Sequence, residues 1–399
     1  MRILIVSAVF PPEPVVSARL SLDIARALSE RKENEVVVIS PKPTRPNGKK
    51  YDDTVFFEEN FSHHIVESYT HPASTFLGRM KESYSFGKKT AEYVRQHRLE
   101  IDVIYANTWP IFGQYLLVNE AQKQGIPIVL HIQDIYPESM LSRLGVLRNS
   151  TKTILTLLDR KICKKADVLL TISDNMKSYL HKSRNIPLDK LVVVRNWQDP
   201  SSFTISKALG DNKFIFMFVG SISPAAGVLF VLQAFVEANI PNTKLVIAGD
   251  GSDKQKCIDY AQLYPNLDIE FCSVMPETVA EVQSRADVLL LPLRTGVSTT
   301  ASPSKMPAYM FSAKPILACV EEDSDAASII QKSQSGWICP PENKEKLIAK
   351  MREVSKLPNE TLNEFGDNGR KYALVTFTKP TNIEKIISNI NKFDGDKTD

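Results

Sequence analysis

Short apolar runs alternate with longer amphipathic stretches along most of the 399-residue chain. In the first half the runs are Arg2–Phe10, Glu35–Ser40, Asp102–Asn107, Ile126–Gln133, Ala166–Ile172 and Lys190–Arg195. Runs of this length, bounded by polar or turn residues, predict strands buried on both faces. Ser17–Arg31 predicts a helix, because Leu20, Ile24, Ala27 and Leu28 recur at helical spacing and Ser17 can cap the start. A polar stretch from Asn196-Trp197-Gln198-Asp199-Pro200 to Asn212 interrupts the rhythm and reads as a linker. The rhythm then restarts with Phe214–Ser221, Lys244–Ala248, Leu267–Cys272, Asp287–Leu291, Pro315–Val320 and Gly336–Cys339. Helices are expected between them, including Gly227–Ala238 and Asp253–Leu263. The final segment, Glu360–Lys392, reads as helical, and 394–399 as a solvated tail.

Strand–helix alternation predicts parallel sheets covered by helices, and it occurs twice. The expected fold class is therefore α/β, with two doubly wound lobes facing each other across a cleft. The expected boundaries are 1–198 for the N-terminal lobe and 199–375 for the C-terminal lobe, with 376–399 a closing helix and tail. Ligands of open parallel sheets bind beyond the carboxyl ends of the strands. Functional residues are thus sought directly after each strand.

Composition narrows the class of partner. Lys and Arg outnumber Asp and Glu by only 49 to 46, which gives no reason to expect nucleic acid. The five cysteines are odd in number and form no CxxC pair, which favours free thiols in a reducing compartment. No HExxH or Cys/His spacing suggests a metal site. No apolar run approaches a bilayer span, and Met1–Val6 reads as a first strand rather than a signal peptide. The expected location is cytoplasmic. One segment, Phe76–Arg98, mixes Arg79, Lys81, Lys88, Lys89, Arg95 and Arg98 with Phe76, Leu77, Met80, Tyr84 and Phe86. It reads either as an ordinary amphipathic helix or as a face that docks on anionic lipid, peripheral to the inner membrane surface.

Four post-strand loops carry candidate chemistry. The loop Pro11-Pro12-Glu13-Pro14-Val15-Val16-Ser17 opens a helix and is either a rigid connector or a polar ligand contact. His131, Asp134 and Glu138 cluster around the end of one strand, as catalytic groups or as core and turn residues. Ala248-Gly249-Asp250-Gly251-Ser252 permits close backbone approach, although Gly-Asp-Gly alone is a weak signal. The stretch 292–306 contains Arg294, Ser304 and Lys305 among hydroxyls and glycine, and a helix start of that kind suits a diphosphate. Asp323-Ser324-Asp325 is formally a DxD string, here expected to contact a sugar or cap a helix rather than bind metal. Neither GxGxxG nor GxxxxGK[ST] occurs.

The order of these pieces resembles a known family. Phe10-Pro11-Pro12, Asp134-Ile135-Tyr136-Pro137-Glu138-Ser139, Val194-Arg195-Asn196-Trp197, Phe218-Val219-Gly220-Ser221-Ile222 and Ala248-Gly249-Asp250-Gly251 come in sequence. They are followed by Ala286–Pro292, Pro303-Ser304-Lys305 and Lys314–Ala318. Together they resemble retaining GT-B glycosyltransferases of family 4, and most of all bacterial surface-polysaccharide enzymes of the fucosamine-transferring type. The resemblance implies transfer of a hexose or N-acetylhexosamine from a nucleotide sugar, a UDP-sugar above all, to a lipid-linked saccharide, without a metal or other cofactor. It places Ser273 and Val274 at the base, and Ser221, Ser223, Asp250, Gly251, Arg294, Ser304, Lys305 and Asp325 around the rest of the donor. Pro12, Ser17 and Asn107 would line the acceptor side, and the last helix, Asn382–Lys392, would return to the N-terminal lobe. His131 would orient the donor sugar, with Asp134 or Glu138 acting on the acceptor and Lys305 stabilising the leaving diphosphate.

The chain also departs from the pattern. Thr300 and Ala308 stand where the family has two Glu residues, and Ser221 and Ala226 where it has Arg and Lys. Val16-Ser17 replaces a Gly-Gly, and either His131 or Gln133 holds the place of the family's His. These departures keep two other readings open, a degenerate nucleotide-sugar-binding partner subunit and a nucleotide-sugar epimerase on the same fold.

Overall fold

In the computed structural model, residues 1–44, 51, 58–71, 75–108, 111–141, 148–203, 213–275, 277–296 and 305–395 are described. The chain divides into two compact units, Met1–Arg195 together with the chain from Asn382 onward, and Asn196–Thr381.

The first unit is built on strands β1 (Arg2–Ser7), β2 (Glu35–Pro41), β3 (Ser62–Val66), β4 (Val103–Asn107), β5 (Ile128–Ile132), β6 (Val168–Thr171) and β7 (Leu191–Val193). They form one sheet in the order β3-β2-β1-β4-β5-β6-β7, parallel throughout. β3 is the strand that the apolar pattern does not announce. It sits at the sheet edge, and its His63 and His64 break the run of hydrophobes.

The second unit carries β8 (Phe214–Val219), β9 (Thr243–Ala248), β10 (Ile269–Cys272), β11 (Val288–Pro292), β12 (Ile316–Cys319) and β13 (Gly336–Cys339). Their order is β10-β9-β8-β11-β12-β13, again all parallel. Alternation along β8 divides the core. Phe216 and Phe218 pack into one apolar layer, while Ile215, Met217 and Val219 pack into the other. Each such buried side chain contributes roughly 1.5–3 kcal/mol of hydrophobic stabilisation, which is what holds the strand tips, and the loops after them, in place.

Two doubly wound parallel sheets are the architecture expected from the sequence. The closing helix expected over Glu360–Lys392 breaks into Asn359–Thr376 and Lys379–Ile390, and the chain from Asn382 onward groups with the first unit. Pro380 explains the break, since it cannot supply the amide a continuous helix would need there. Asn382 then fastens the returning chain, its side-chain oxygen accepting from the Arg195 amide at 2.9 Å.

Both sheets reverse their strand order at one point, between β1 and β4 in the first and between β8 and β11 in the second. The reversal leaves a crevice at the carboxyl ends of those strands, the usual ligand position of this architecture.

Candidate active site

At the second unit's reversal point β8 and β11 pair only at Phe216–Val288 and Met217–Leu289, then separate. The helix Met306–Phe311 supplies two side chains to the tip of β8. Tyr309, fully buried, places its hydroxyl 3.0 Å from both the N–H and the C=O of Val219. Lys305, at the cap of the same helix, lays its ammonium 4.0 Å from the centroid of the Phe218 ring, a cation–π arrangement. Its stem occupies the space beside Gly220, where a Cβ would lie 2.4 Å from Lys305 Cε. Gly220 has φ +136°, so glycine is required there twice over, by the backbone and by the lysine.

Burial pushes the Lys305 ammonium down to about 8. No carboxylate among the described residues pairs with it. A half-buried cation next to a strand tip is poised for an anion, which would recover the solvation the lysine has lost. Beyond Gly220 the loop carries exposed Ser221 and half-buried Ser223, then enters the helix Val228–Ala238 through Gly227. The first-turn amides of that helix add partial positive charge on the same loop.

Asp250 and Gly251 serve this loop from below. The Ile222 amide donates to the Asp250 carbonyl at 2.8 Å, and the Asp253 amide to the Ile222 carbonyl at 3.0 Å. A Cβ on Gly249 would stand 2.0 Å from the Gly220 oxygen, so only glycine lets the two strand tips touch. The Asp250 carboxylate is turned to its own neighbours, accepting from the Gly251 amide at 2.8 Å and from Lys254 at 3.4 Å, and these bonds hold it below the usual range. The Gly-Asp-Gly string therefore fixes the β8 loop, and its carboxylate is engaged internally.

The other donor-side candidates divide. Arg294 is exposed and bonded to Glu342, with Nε 3.1 Å and Nη2 2.9 Å from the same carboxylate oxygen, and the Thr295 hydroxyl donates to the other oxygen at 2.7 Å. In this structure its charge is met by Glu342 on the surface. Ser273 is exposed and Val274 half-buried, just past β10. Asp325 is buried in the first turn of the helix Asp325–Ser333, whose cap is Ser324, while Asp323 is exposed. The two carboxylates thus sit in different surroundings, with Asp325 at the helix start. Among the described residues no group of three His, Cys, Asp or Glu side chains is gathered as metal ligands. Ser304 and Thr300 lie outside the described residues.

In the first unit, His131 is 2% exposed on β5. Its Nδ1 lies 2.6 Å from the Tyr105 hydroxyl, and its Nε2 lies 3.1 Å from the Gln133 amide. Burial pushes its imidazole down to about 4, so it is neutral at physiological pH. Gln133, half-buried, is the outer member of this pair. Asp134 is exposed, though the protein around it raises its carboxyl above the ordinary value.

Glu138 has a structural partner that the sequence did not reveal. Arg184, 1% exposed, binds the Glu138 carboxylate at 2.7 Å, Asp159 at 2.6 Å and the Tyr136 carbonyl at 2.8 Å. Tyr179 donates to the second Glu138 oxygen at 2.7 Å. Burial raises the Glu138 carboxyl, but Arg184 and Tyr179 outweigh it and hold it below the usual range. Glu138, expected to act on the acceptor, is in this structure a counter-ion to Arg184 that fastens the 134–138 loop.

At the first sheet's reversal point, Ser17 and Asn107 are both half-buried and meet through Ser21. The Ser21 hydroxyl donates to the Ser17 carbonyl at 2.9 Å and receives from Asn107 Nδ2 at 3.4 Å. Pro12 is exposed on the loop after β1, joined to Pro11 by a cis peptide bond. The basic segment forms the helix Phe76–Gln96, with Leu77 and Tyr84 exposed. Arg79, Lys89 and Arg95 pair there with Glu82, Glu92 and Glu120. No helix among the described residues is long and apolar enough to cross a membrane.

Comparison with known proteins gives this geometry a context. The family model "Glycosyltransferase Family 4" matches residues 17–202, and "Glycosyl transferases group 1" matches 202–372. A Pseudomonas aeruginosa protein named as a probable glycosyltransferase, WbjE, is 24% identical over 326 residues, covering 78% of each chain. A Salmonella typhimurium protein provisionally named a colanic acid biosynthesis glycosyltransferase, WcaL, is 25% identical over 245 residues, covering 56% of this chain and 59% of its own. Among solved structures, Anabaena HepE in complex with UDP superposes with a TM-score of 0.70 at 14% identity, covering 98% of this chain and 100% of its own. The last likeness is one of fold.

Proposed function

Because this chain belongs to the GT-B glycosyltransferases, each unit matched by one of their two family models, we propose that its second unit binds a UDP-sugar and that the enzyme transfers a hexose or N-acetylhexosamine to a lipid-linked saccharide. The observation that carries the reading is Lys305, a half-buried cation at the tip of β8 with no counter-charge among the described residues. As the sugar bond breaks, negative charge grows on the diphosphate. A cation already stripped of much of its water, and helix amides already oriented, stabilise that charge without reorganising. Lys305 supplies the positive charge, so the reaction proceeds without a divalent metal. The configuration of the sugar is retained, and the leaving phosphate accepts the proton of the attacking hydroxyl.

The first unit takes the acceptor, where Asn107, Ser17 and the exposed Asp134 offer hydroxyl-binding groups near strand ends. His131 stays neutral and orients Gln133. The product is a bacterial surface polysaccharide, a reading supported by the WcaL likeness. Docking on the inner membrane surface would use the exposed Leu77, Tyr84 and Lys88 of the Phe76–Gln96 helix.

A panel of UDP-hexoses and UDP-N-acetylhexosamines, incubated with lipid-linked saccharides, tests the proposal by UDP release and by the anomeric signal of the product. Acceptor-dependent UDP release with a retained anomeric centre is expected. Tight UDP binding with no turnover on any pair would instead favour a nucleotide-binding partner subunit, a reading motivated by Ala308, which is buried and uncharged where the family carries a carboxylate.

A further inference from the structure

We propose that Tyr309 is a positioning residue for the diphosphate site: its hydroxyl takes the place of a strand partner at Val219 and so fixes the tip of β8 against the helix that bears Lys305. The inference rests on the reading of Lys305 given above.

The hydroxyl stands where the sheet runs out of partners. β11 follows β8 only as far as the Met217–Leu289 pair, two residues short of Val219. Val219 is 4% exposed, so an unmet N–H or C=O there would be costly. The two groups of one strand residue point the same way, and a hydroxyl can accept from one and donate to the other. Tyr309 does both, at 3.0 Å each. Burial raises its phenol well above the ordinary range, so the donor proton is always present.

The same helix turn brings Lys305 into register. The Tyr309 amide donates to the Lys305 carbonyl at 3.0 Å, the spacing of one turn. Side chains four apart lie on one helix face. Tyr309 therefore grips Val219, while Lys305 lies over Phe218 and beside Gly220. Phe218 and Val219 of β8 and the Gly220 that follows them are thus held by two side chains one helical turn apart. The ammonium and the Gly220-Ser221 backbone keep a fixed separation only while that grip holds. A diphosphate that touches both would read that separation directly.

The test is a binding cycle with UDP, measured by calorimetry on the full chain for the unaltered protein, Tyr309→Phe, Lys305→Ala and the double variant. Tyr309→Phe keeps the ring and removes only the hydroxyl. It is expected to weaken UDP binding about 3- to 30-fold, the range of one or two hydrogen bonds. In the Lys305→Ala background the same change should have little further effect, because the group it positions is gone. The pH midpoint at which affinity is lost should also move upward from about 8 in Tyr309→Phe. A loosened tip lets water reach the ammonium, and burial is what lowers it. A role confined to stability moves neither the coupling nor that midpoint. Equal affinity of Tyr309→Phe and the unaltered protein, with Lys305→Ala weakened, overturns the inference alone. Undiminished binding by Lys305→Ala removes the reading beneath it, and the inference falls with it. If Tyr309→Phe does not fold, amide exchange on the unaltered protein decides. UDP is expected to slow exchange at the Val219 amide, and unchanged exchange there overturns the proposal.

Discussion

Replacing Lys305 with methionine is expected to stabilise the ligand-free protein while removing its response to nucleotide. The folded state holds this ammonium at about 8 against 10.5 for an ordinary lysine. Each pH unit of that difference is worth about 1.4 kcal/mol, giving an upper bound of ~3 kcal/mol for the cost of keeping the charge in place. Water still reaches the half-buried group, so ~1–2 kcal/mol is the working figure. Methionine fills the same stem volume and puts a thioether against the Phe218 ring, a favourable contact. At pH 7 the variant should therefore melt roughly 2–8 °C higher, at 2–4 °C per kcal/mol for a domain of this size. The pH dependence carries the sign. Between about 8 and 10.5 the unfolded chain binds the Lys305 proton and the folded chain does not, so the unaltered protein gains stability as pH rises through that window. The variant lacks this gain, and the difference between the two should close by pH 10.5. UDP at a hundred times its Kd would add about 2.7 kcal/mol to the unaltered protein and little to the variant. Thermal melts at pH 7, 9 and 10.5, with and without UDP, read all of this. A variant less stable at pH 7, or one still stabilised by UDP, would refute the reasoning.

Other consequences are as specific. Gly220→Ala sets a Cβ 2.4 Å from Lys305 Cε at φ +136°, and should weaken UDP binding at least tenfold in calorimetry while the first unit melts unchanged; equal affinity would contradict the packing of the lysine against the strand tip. Arg184→Met leaves Asp159 and Glu138 without their cation, and urea unfolding of the first unit should lose about 3–5 kcal/mol, the cost of breaking a buried ion pair from one side; a loss under 1 kcal/mol would show the network to be incidental. His131 is held at about 4 against 6.5 for an ordinary histidine, so its share of stability is present above pH 6.5 and is lost as pH falls toward 4. The variant His131→Gln should lose that acid limb, and a limb of unchanged size would place the titration elsewhere.

The apolar pattern revealed the strands that carry the site, because strands buried on both faces must be continuous runs of hydrophobes. It overran their ends. Val9 and Phe10 extended the expected first strand, which stops at Ser7, since apolar residues also pack in the loop that follows. β3 stayed hidden because an edge strand with two histidines has little hydrophobic signal. Lys305 was legible as a cation in a hydroxyl-rich loop just before a helix. Arg184 and Tyr309 were not. Arg184 reads as one more charge in a helix end, and its partner Glu138 lies 46 residues away. Tyr309 reads as core, and it is core, but its oxygen stands in for a strand partner at Val219, 90 residues away. Spacing along a sequence reports local faces, whereas these bonds depend on which segments the sheet brings together. The same limit explains Arg294, whose partner Glu342 approaches from the loop after β13.

A diphosphate held at the tip of β8 by Lys305 is the central proposal. Calorimetry of the unaltered protein against UDP, GDP, ADP and dTDP, with and without magnesium, tests that claim most directly. The predicted result is saturable binding of UDP, unaffected by magnesium and lost as pH rises through about 8. Binding of none of the four, or binding that persists unchanged above pH 10, would contradict it.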